Sequence, residues 1–281
     1  MPELPEAETI VRGLRRTVVG QRITGVDVVH PGVLRAPERT VRARLRGRVI
    51  RGVGRRGKNV LLLLDDGGVL AVNLGMTGCL LPFPTSPRGS ARPTHPTVRL
   101  RFAGGGVVVF DDQRRFGTFE ALTGSEWAER DGRMGPEPLE RGFTPTLLAR
   151  ALARSRSPVR SWLLDQRRIA GVGNIYALEA LHRARIHPLR PANRVGEAGA
   201  ARLHRAVRDV LRAAIRRRGT TIRDYRDADG KQGGYAARLR VYGREGEPCP
   251  ACGAPVRRLV FSGRSAYFCP ACQPAPRSRA G

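Results

Sequence analysis

Residues 249–273 read CPACGAPVRRLVFSGRSAYFCPACQ, and this stretch decides how the C-terminal part of the chain folds. Two residues separate Cys249 from Cys252 and Cys269 from Cys272, and sixteen residues separate the two pairs. This is the spacing of a zinc ribbon, in which each pair sits on a tight turn and four thiolates surround one Zn²⁺. Four thiolates leave no open coordination position, so the predicted zinc is structural.

Two disulfides are the alternative use of the same cysteines, and they need an oxidising compartment. The first fifteen residues contain Glu3, Glu6 and Glu8 and no apolar segment of the kind found in export signals. The sequence therefore favours zinc. The fifth cysteine, Cys79, is predicted to be a small buried residue.

Residues 256–268, between the cysteine pairs, predict a β-hairpin with Ser262, Gly263 and Arg264 at its turn. An arginine at the tip of a hairpin that zinc stabilises is well placed to bind phosphates. A plain solvent-exposed arginine is the alternative interpretation.

The first half of the chain has a β pattern, and the second half has a helical pattern. Runs of Val, Ile and Leu punctuated by glycine predict strands at 22–30, 48–54, 60–65, 69–74, 98–102 and 107–110. A helix is predicted at 5–14, a surface loop at 82–96 and an interdomain linker at 131–142. Residues 200–218 predict a long basic amphipathic helix whose arginines either face solvent or meet phosphate.

The charge of the chain is strongly positive, because 51 Lys and Arg residues face 24 Asp and Glu residues and give a net charge of +27. A polyanion is therefore the expected partner, and nucleic acid is the commonest one. No apolar run approaches the roughly 18 residues that span a bilayer.

Lys58 and Lys231 are the two lysines. Either they survived by chance in an arginine-rich chain, or a compact ammonium is needed at those positions.

Seven motifs follow one another in order: PELPEAET at 2–9, RGKN at 56–59, NLGMTG at 73–78, DDQRRFG at 111–117, LLDQRRIAGVGNIYALEAL at 163–181, VYGREGEPCPACG at 241–253 and FSGRSAYFCPACQ at 261–273. With them the sequence resembles, over essentially its whole length, the formamidopyrimidine-DNA glycosylase family of bacterial base-excision repair enzymes.

The resemblance implies an α+β fold with an N-terminal β-sandwich and flanking helices, a helix–two-turn–helix domain and a C-terminal zinc-finger β-hairpin. The expected bounds are 1–130 for the catalytic domain, 131–142 for the linker, 143–240 for the helical domain and 241–281 for the zinc finger. A lesion-capping loop is expected at 220–239, and DNA is expected in the cleft between the halves.

The resemblance also implies a mechanism that begins at the N-terminus. Removal of Met1 leaves Pro2 with a secondary amine, and an α-amine has an unperturbed pKa of about 8. Pro2 is then the nucleophile that attacks C1′ of the damaged nucleotide, and Glu3 is its acid/base partner. Lys58 and Arg264 complete the implied catalytic set by contacting phosphates beside the lesion.

The implied DNA-binding residues are Asn174 and Tyr242 on phosphates, Met76, Arg114 and Phe116 in the gap left by the flipped base, and Glu6 in the catalytic pocket. By residue type alone, Met76 and Phe116 are more typical of a core, and residues 171–174 of a glycine-capped helix junction. Asn73 stands where the family commonly has His, and Ala266 where it usually has Thr.

The expected function is that of a bifunctional DNA glycosylase and AP lyase that removes 8-oxoguanine opposite C and formamidopyrimidines. The expected cofactor is one structural Zn²⁺, and the expected partner is damaged double-stranded DNA. A monomer is expected, in the bacterial cytoplasm at the nucleoid and not in a membrane. The alternatives are an endonuclease VIII-like glycosylase for oxidised pyrimidines and a non-catalytic zinc protein that binds damaged DNA.

Overall fold

The computed structural model describes residues 2–85, 93–221, 227–228 and 230–275. In these residues the chain forms seven α-helices and ten β-strands. It divides into two compact units, Met1–Arg133 with Ala214–Ala236 and Met134–Ala213 with Ala237–Gly281. Within the described ranges, no helix combines the length and the hydropathy needed to cross a membrane.

Two four-stranded antiparallel sheets build the first unit. One contains, in spatial order, β1 (Ile23–Val28), β6 (Pro96–Phe102), β7 (Val107–Asp111) and β5 (Cys79–Phe83). The other contains β2 (Ile50–Arg56), β3 (Asn59–Leu64), β4 (Val69–Asn73) and β8 (Thr118–Leu122). One apolar cluster takes side chains from both sheets, among them Leu62, Leu100 and Phe110. The predicted β-sandwich is thereby confirmed.

Three helices flank the sheets of this unit: α1 (Leu4–Val18), α2 (Glu38–Leu45) and α3 (Gly124–Gly132). Helix α1 buries one apolar face in the cluster through residues such as Ile10 and Leu14. Helix α2 buries Val41 and Leu45, too few apolar positions to predict it from the sequence. Strands β5 and β8 and helix α3 were also not predicted.

The predicted strands are present, with shifted ends. Strands β6 and β7 pair in antiparallel register, with Val98 opposite Phe110. The predicted surface loop 82–96 is shorter, because β5 extends to Phe83 and β6 begins at Pro96. Its residues 86–92 lie outside the described part of the chain.

The second unit is helical with a small C-terminal hairpin. Its elements are α4 (Pro145–Ala153), α5 (Val159–Leu164), α6 (Asn174–Ala184), most of α7 (Gly196–Arg216), β9 (Arg257–Phe261) and β10 (Arg264–Phe268). The two turns between α5 and α6 close around Gln166. Its side-chain amide donates to the backbone oxygens of Leu164 and Val172 and accepts from the N–H of Gly171, at 2.8–3.0 Å. The predicted helical domain and zinc-finger hairpin are confirmed as elements of the fold.

One segment packs differently from the predicted domain division. Residues 143–240 were predicted as one helical domain, whereas Ala214–Ala236 belong to the first compact unit. The Thr220 N–H donates to the Glu6 carboxylate over 2.7 Å, and a Cβ on Gly13 would come within 2.5 Å of the Ala228 Cβ. These contacts with α1 explain why the segment packs with the sandwich. In the predicted capping loop 220–239, residues 222–226 and 229 lie outside the described residues.

We expect Leu62→Ala to lower the free energy of unfolding by about 2–5 kcal/mol, because it opens a cavity in the sandwich core. Leu62 is 1% exposed, whereas its neighbour Leu63 points to the other face of β3 and is 41% exposed. Leu63→Ala is therefore the matched control, with a small expected effect. Urea unfolding of both variants checks this, and equal losses would contradict the assigned faces of β3.

Candidate active site and metal centre

The N-terminus is held in place by a buried carboxylate. Pro2 and Glu3 are buried directly before α1, and Glu3 and Glu6 are each 1% exposed. Glu6 Oε2 accepts a hydrogen bond from the Glu3 backbone N–H at 2.7 Å, and Oε1 accepts one from the Thr220 backbone N–H at 2.7 Å. Both carboxylate oxygens therefore bind peptide groups, so the Glu6 side chain ties the start of the chain to residue 220.

Gly219 lets the backbone come this close to the carboxylate. Its φ is +83°, which favours glycine, and a Cβ there would lie 2.6 Å from Glu6 Oε1. The sequence placed Glu6 in the catalytic pocket beside Pro2 and Glu3. The observed contacts show that its carboxylate fixes the backbone of Glu3 relative to that of Thr220.

Lys58 lies in the two-residue turn that joins β2 to β3, after Gly57 with a φ of +57°. The turn is braced by Asn59, whose side-chain amide donates to the backbone oxygen of Arg56 at 3.1 Å. The Asn59 Oδ1 accepts from Asn73 Nδ2 at 3.2 Å, and Asn73 Oδ1 accepts from the Gly75 N–H at 3.0 Å. Asn73, the departure from the family pattern, thus links the Lys58 turn to the turn that carries Met76.

Met76, Arg114 and Phe116 lie on two neighbouring turns of the first unit. Met76 is 37% exposed and Phe116 is 57% exposed. The Arg114 guanidinium carbon lies 4.7 Å from the centroid of the Phe116 ring, which is a cation–π distance. These exposures differ from those of core residues, so all three are surface side chains, and they lie on two turns that contact each other through Thr77 and Arg114.

Asn174 and Arg264 belong to the second unit, where the buried side chain of Arg160 contacts Asn174 and the backbone close to Arg264. Arg160 is 1% exposed. Its Nε donates to Asn174 Oδ1 at 3.0 Å, and its two Nη atoms donate to the backbone oxygens of Phe261 and Ser265, on either side of the hairpin turn, at 3.2 and 3.3 Å. Burial and the Arg264 charge lower the pKa of Arg160. Arg160, which sequence reasoning missed, therefore fixes the start of α6 against the hairpin.

The hairpin turn itself is shorter than predicted. Ser262 and Gly263 both have positive φ, +50° and +69°, and Arg264 already pairs with Phe261 as the first residue of β10. Two left-handed residues are typical of a tight hairpin turn whose twist matches its strands. Arg264 thus projects from the strand end beside the turn, where it is exposed.

The backbone of Tyr242 is positioned by Glu179, a buried acid that was not predicted from the sequence. Glu179 on α6 is 1% exposed and accepts hydrogen bonds from the backbone N–H groups of Arg240, Val241 and Tyr242 at 2.9–3.1 Å. Burial raises the pKa of Glu179, and these N–H groups oppose that rise. The Tyr242 ring packs edge-on against Tyr267 at a centroid distance of 5.3 Å.

The four predicted metal ligands converge at the base of the hairpin. The sulfur atoms of Cys249, Cys252, Cys269 and Cys272 lie within 4.8 Å of one another. The Cys252 sulfur is 3.4 Å from that of Cys269 and 3.5 Å from that of Cys272, and the Cys249 and Cys272 sulfurs are 4.0 Å apart. Zn–S bonds of 2.3 Å in a tetrahedron place sulfurs about 3.8 Å apart. The donor set and its spacing therefore fit one structural zinc.

The thiols of this cluster differ in acidity. The backbone N–H hydrogen bond from Ala254 lowers the pKa of Cys252 to about 7, whereas burial raises the pKa of Cys272 to about 12. A bound dication favours the thiolate form at every ligand. A zinc ion held by these four cysteines would supply the charge that four neighbouring thiolates require. The zinc-finger segment packs against α6, where Leu178 shares one apolar cluster with Val256, Cys249 and Cys269.

We expect Cys252→Ser to reduce bound zinc well below one ion per chain, because a hydroxyl is a poor replacement for the thiolate ligand. Cys79→Ser is the matched control, since Cys79 is a buried cysteine of β5 outside the cluster. It should retain one zinc per chain. Elemental analysis of the purified variants measures this, and equal zinc loss in both would contradict the assigned ligand set.

Asn73→Ala removes two hydrogen bonds, one to the Asn59 side-chain oxygen and one from the Gly75 backbone N–H. We expect it to lower the free energy of unfolding by about 1–3 kcal/mol, since each such bond contributes about 0.5–1.5 kcal/mol. The exposed Asn193 offers a control, and Asn193→Ala should change stability little. Denaturant titration of both variants measures the difference, and an unchanged stability of Asn73→Ala would rule out the linking role.

Comparisons with known proteins agree with this geometry. The Formamidopyrimidine-DNA glycosylase N-terminal domain model matches residues 1–119, the Formamidopyrimidine-DNA glycosylase H2TH domain model matches residues 134–226, and the model of the zinc finger found in FPG and IleRS matches residues 246–275. The formamidopyrimidine-DNA glycosylase of Pelotomaculum thermopropionicum is 44% identical over 279 residues, covering 97% of this chain and 99% of that one.

Solved structures give the same result. The crystal structure of MutM (Fpg) from Thermus thermophilus is similar with a TM-score of 0.87 and 44% identity, covering 98% of this chain and 100% of that chain. Wild-type Lactococcus lactis Fpg in complex with N7-benzyl-Fapy-dG containing DNA is similar with a TM-score of 0.90 and 33% identity over the same shares. The chain therefore belongs to the formamidopyrimidine-DNA glycosylase family.

Proposed function

We propose that the protein is a bifunctional DNA glycosylase and AP lyase of base-excision repair that removes 8-oxoguanine opposite C and formamidopyrimidines. The observation that supports this proposal most directly is the geometry of the N-terminus, where Pro2 and Glu3 are both buried and Glu6 fixes the Glu3 backbone. Family membership supports this, as does the relative solved with N7-benzyl-Fapy-dG containing DNA.

The proposed reaction starts from the amine that Pro2 carries once Met1 is removed. Its lone pair forms a bond to C1′ of the damaged nucleotide while the bond from C1′ to the base breaks, and the bonding electrons leave with the base. The attacking nitrogen releases its N–H proton to solvent, and solvent protonates the departed base. Glu3 gives a proton to the sugar ring oxygen as the bond from C1′ to that oxygen breaks, so the ring opens and a charged iminium remains. The iminium withdraws electrons from C2′, and loss of a C2′ proton expels the 3′-phosphate. A second elimination expels the 5′-phosphate, and water hydrolyses the remaining iminium.

The other site residues bind DNA in this proposal. Lys58 contacts the phosphate beside the lesion from its two-residue turn. Asn174, Tyr242 and Arg264 contact phosphates from the second unit. Arg160 binds the Asn174 side chain and the backbone on either side of the turn beside Arg264, and Glu179 binds the Tyr242 backbone N–H. Charge-assisted contacts of this kind fix the register of the strand without reading its sequence.

Met76, Arg114 and Phe116 fill the space that the flipped nucleotide leaves. An inserted apolar side chain offsets unstacking, which costs about a few kcal/mol per step. An arginine that donates to an orphaned cytosine gives a reason for the preference for lesions opposite C. This set of residues favours oxidised purines over the alternative of an endonuclease VIII-like enzyme for oxidised pyrimidines.

Damaged double-stranded DNA is the proposed partner, and the protein acts on it as a monomer at the bacterial nucleoid in the cytoplasm. The net charge of +27 supports this partner, since neutralising phosphates releases counterions and drives binding. Most of that attraction is independent of sequence.

Borohydride trapping tests the proposed chemistry and distinguishes it from the alternative of a non-catalytic zinc protein that binds damaged DNA. Borohydride reduces an iminium to a stable amine, so wild-type protein with a free Pro2 terminus should form a covalent adduct with a duplex containing 8-oxoguanine opposite C. A thymine glycol duplex should be cleaved more slowly. The absence of any adduct would favour a binding protein, and a preference for thymine glycol would favour the oxidised-pyrimidine enzyme.

Glu3→Gln should lower the rate of base excision by about 10²–10⁴-fold, because glutamine cannot transfer the proton. Glu8→Gln is the matched control on α1, the helix that follows Glu3, since Glu8 pairs with Arg12 and Arg55 outside the proposed reacting groups. Pro2→Gly should keep partial activity because glycine still offers an amine. Single-turnover excision measures all three, and a full rate for Glu3→Gln would remove Glu3 from the proton-transfer role.

A further inference from the structure

Asp112 is a fully buried acid that the proposed reaction does not use. It is 0% exposed and follows β7. One carboxylate oxygen accepts a hydrogen bond from the Thr77 hydroxyl at 2.5 Å, and the other accepts from the Gly117 backbone N–H at 2.8 Å. The carboxylate thus joins the turn after β4 to the turn after β7.

Thr77 carries this connection one step further. Its hydroxyl oxygen accepts a hydrogen bond from the Arg114 backbone N–H at 3.0 Å, and its O–H donates a hydrogen bond to Asp112. Thr77 directly follows Met76, and Gly117 directly follows Phe116. All three projecting residues are therefore in, or next to, one hydrogen-bonded network.

The same two turns also meet through their backbones. Gly75 has a φ of +59°, and a Cβ there would lie 2.5 Å from the Gly117 nitrogen and 2.6 Å from the Phe116 carbonyl carbon. A Cβ on Gly117 would lie 2.5 Å from Phe110 Cζ in the sandwich core. The turns therefore pack against each other with no room for a side chain between them.

We propose that Thr77 and Asp112 are positioning residues that hold Met76, Arg114 and Phe116 as one unit and thereby set the preference for the base opposite the lesion. This inference rests on the proposed function. Separating the two turns would leave a buried carboxylate without its donors, which is unfavourable. The exposed side chains therefore meet DNA in a fixed arrangement, and less conformational entropy is lost on binding.

The fixed arrangement matters most for Arg114. A guanidinium distinguishes cytosine from adenine only when its N–H groups are held at defined positions relative to the base edge. Its backbone is fixed by Thr77, and its guanidinium stacks on Phe116. A mobile Arg114 would still attract DNA, but it would discriminate less between opposite bases.

Thr77→Val tests the inference because it removes the hydroxyl and keeps the shape of the side chain. We expect the ratio of kcat/KM for 8-oxoguanine opposite C to that opposite A to fall by about tenfold, equivalent to about 1.4 kcal/mol. Thr77→Ser restores the hydroxyl and should restore the ratio. Borohydride trapping on a single-stranded abasic site, which has no opposite base, should be unchanged in both variants.

Asp112→Asn provides the second variant. It replaces one carboxylate oxygen with an NH₂ group, which cannot accept the hydrogen bond that Thr77 or Gly117 now donates there. It should lower the same ratio while thermal unfolding shows that the protein is folded. An unchanged ratio in Thr77→Val and Asp112→Asn, failure of Thr77→Ser to restore it, or an equal loss on the single-stranded abasic site would overturn the inference. A wild-type protein that forms no adduct at all would instead contradict the proposed function, so the two failures are distinguishable.

Discussion

The carboxylate of Glu6 is the constraint on which the proposed chemistry depends. A chain terminus is ordinarily among the most mobile parts of a protein, yet a nucleophile must be held at a defined position to be effective. Glu6 resolves this by accepting hydrogen bonds from the Glu3 and Thr220 backbones at once. The first residues of the chain are thereby fixed at the start of α1, where the positive end of the helix also stabilises the acidic side chains.

Buried polar side chains perform the same task in other parts of the protein. Asp112 joins two turns in the first unit, and Arg160 and Glu179 fix backbone segments in the second. Each of these groups is almost fully buried and makes several hydrogen bonds, so moving one segment would leave a charge without partners. Of the side chains proposed to contact DNA, Met76, Arg114, Phe116 and Arg264 are exposed. The buried charged groups fix the backbone turns that carry them.

The sequence predicted much of the fold because the relevant signals are local. Runs of Val, Ile and Leu bounded by glycine predicted β3 and β4, and the cysteine spacing predicted the zinc site. Helix α2 escaped prediction since only Val41 and Leu45 mark its buried face. The motifs drew attention to Asn174 and Phe116, but nothing local distinguishes Arg160 from the many exposed arginines. Its partners are 14 to 105 residues away, so its burial appears only once the second unit is folded.

The identity of the nucleophile is the central claim, and mass spectrometry of the borohydride-trapped complex tests it most directly. After proteolysis, the reduced sugar remnant should be attached to the nitrogen of Pro2 in the N-terminal peptide. That result would also show that Met1 had been removed from the reacting chains. A remnant on Lys58, the half-buried lysine of the first unit, or on any other amine would contradict the account.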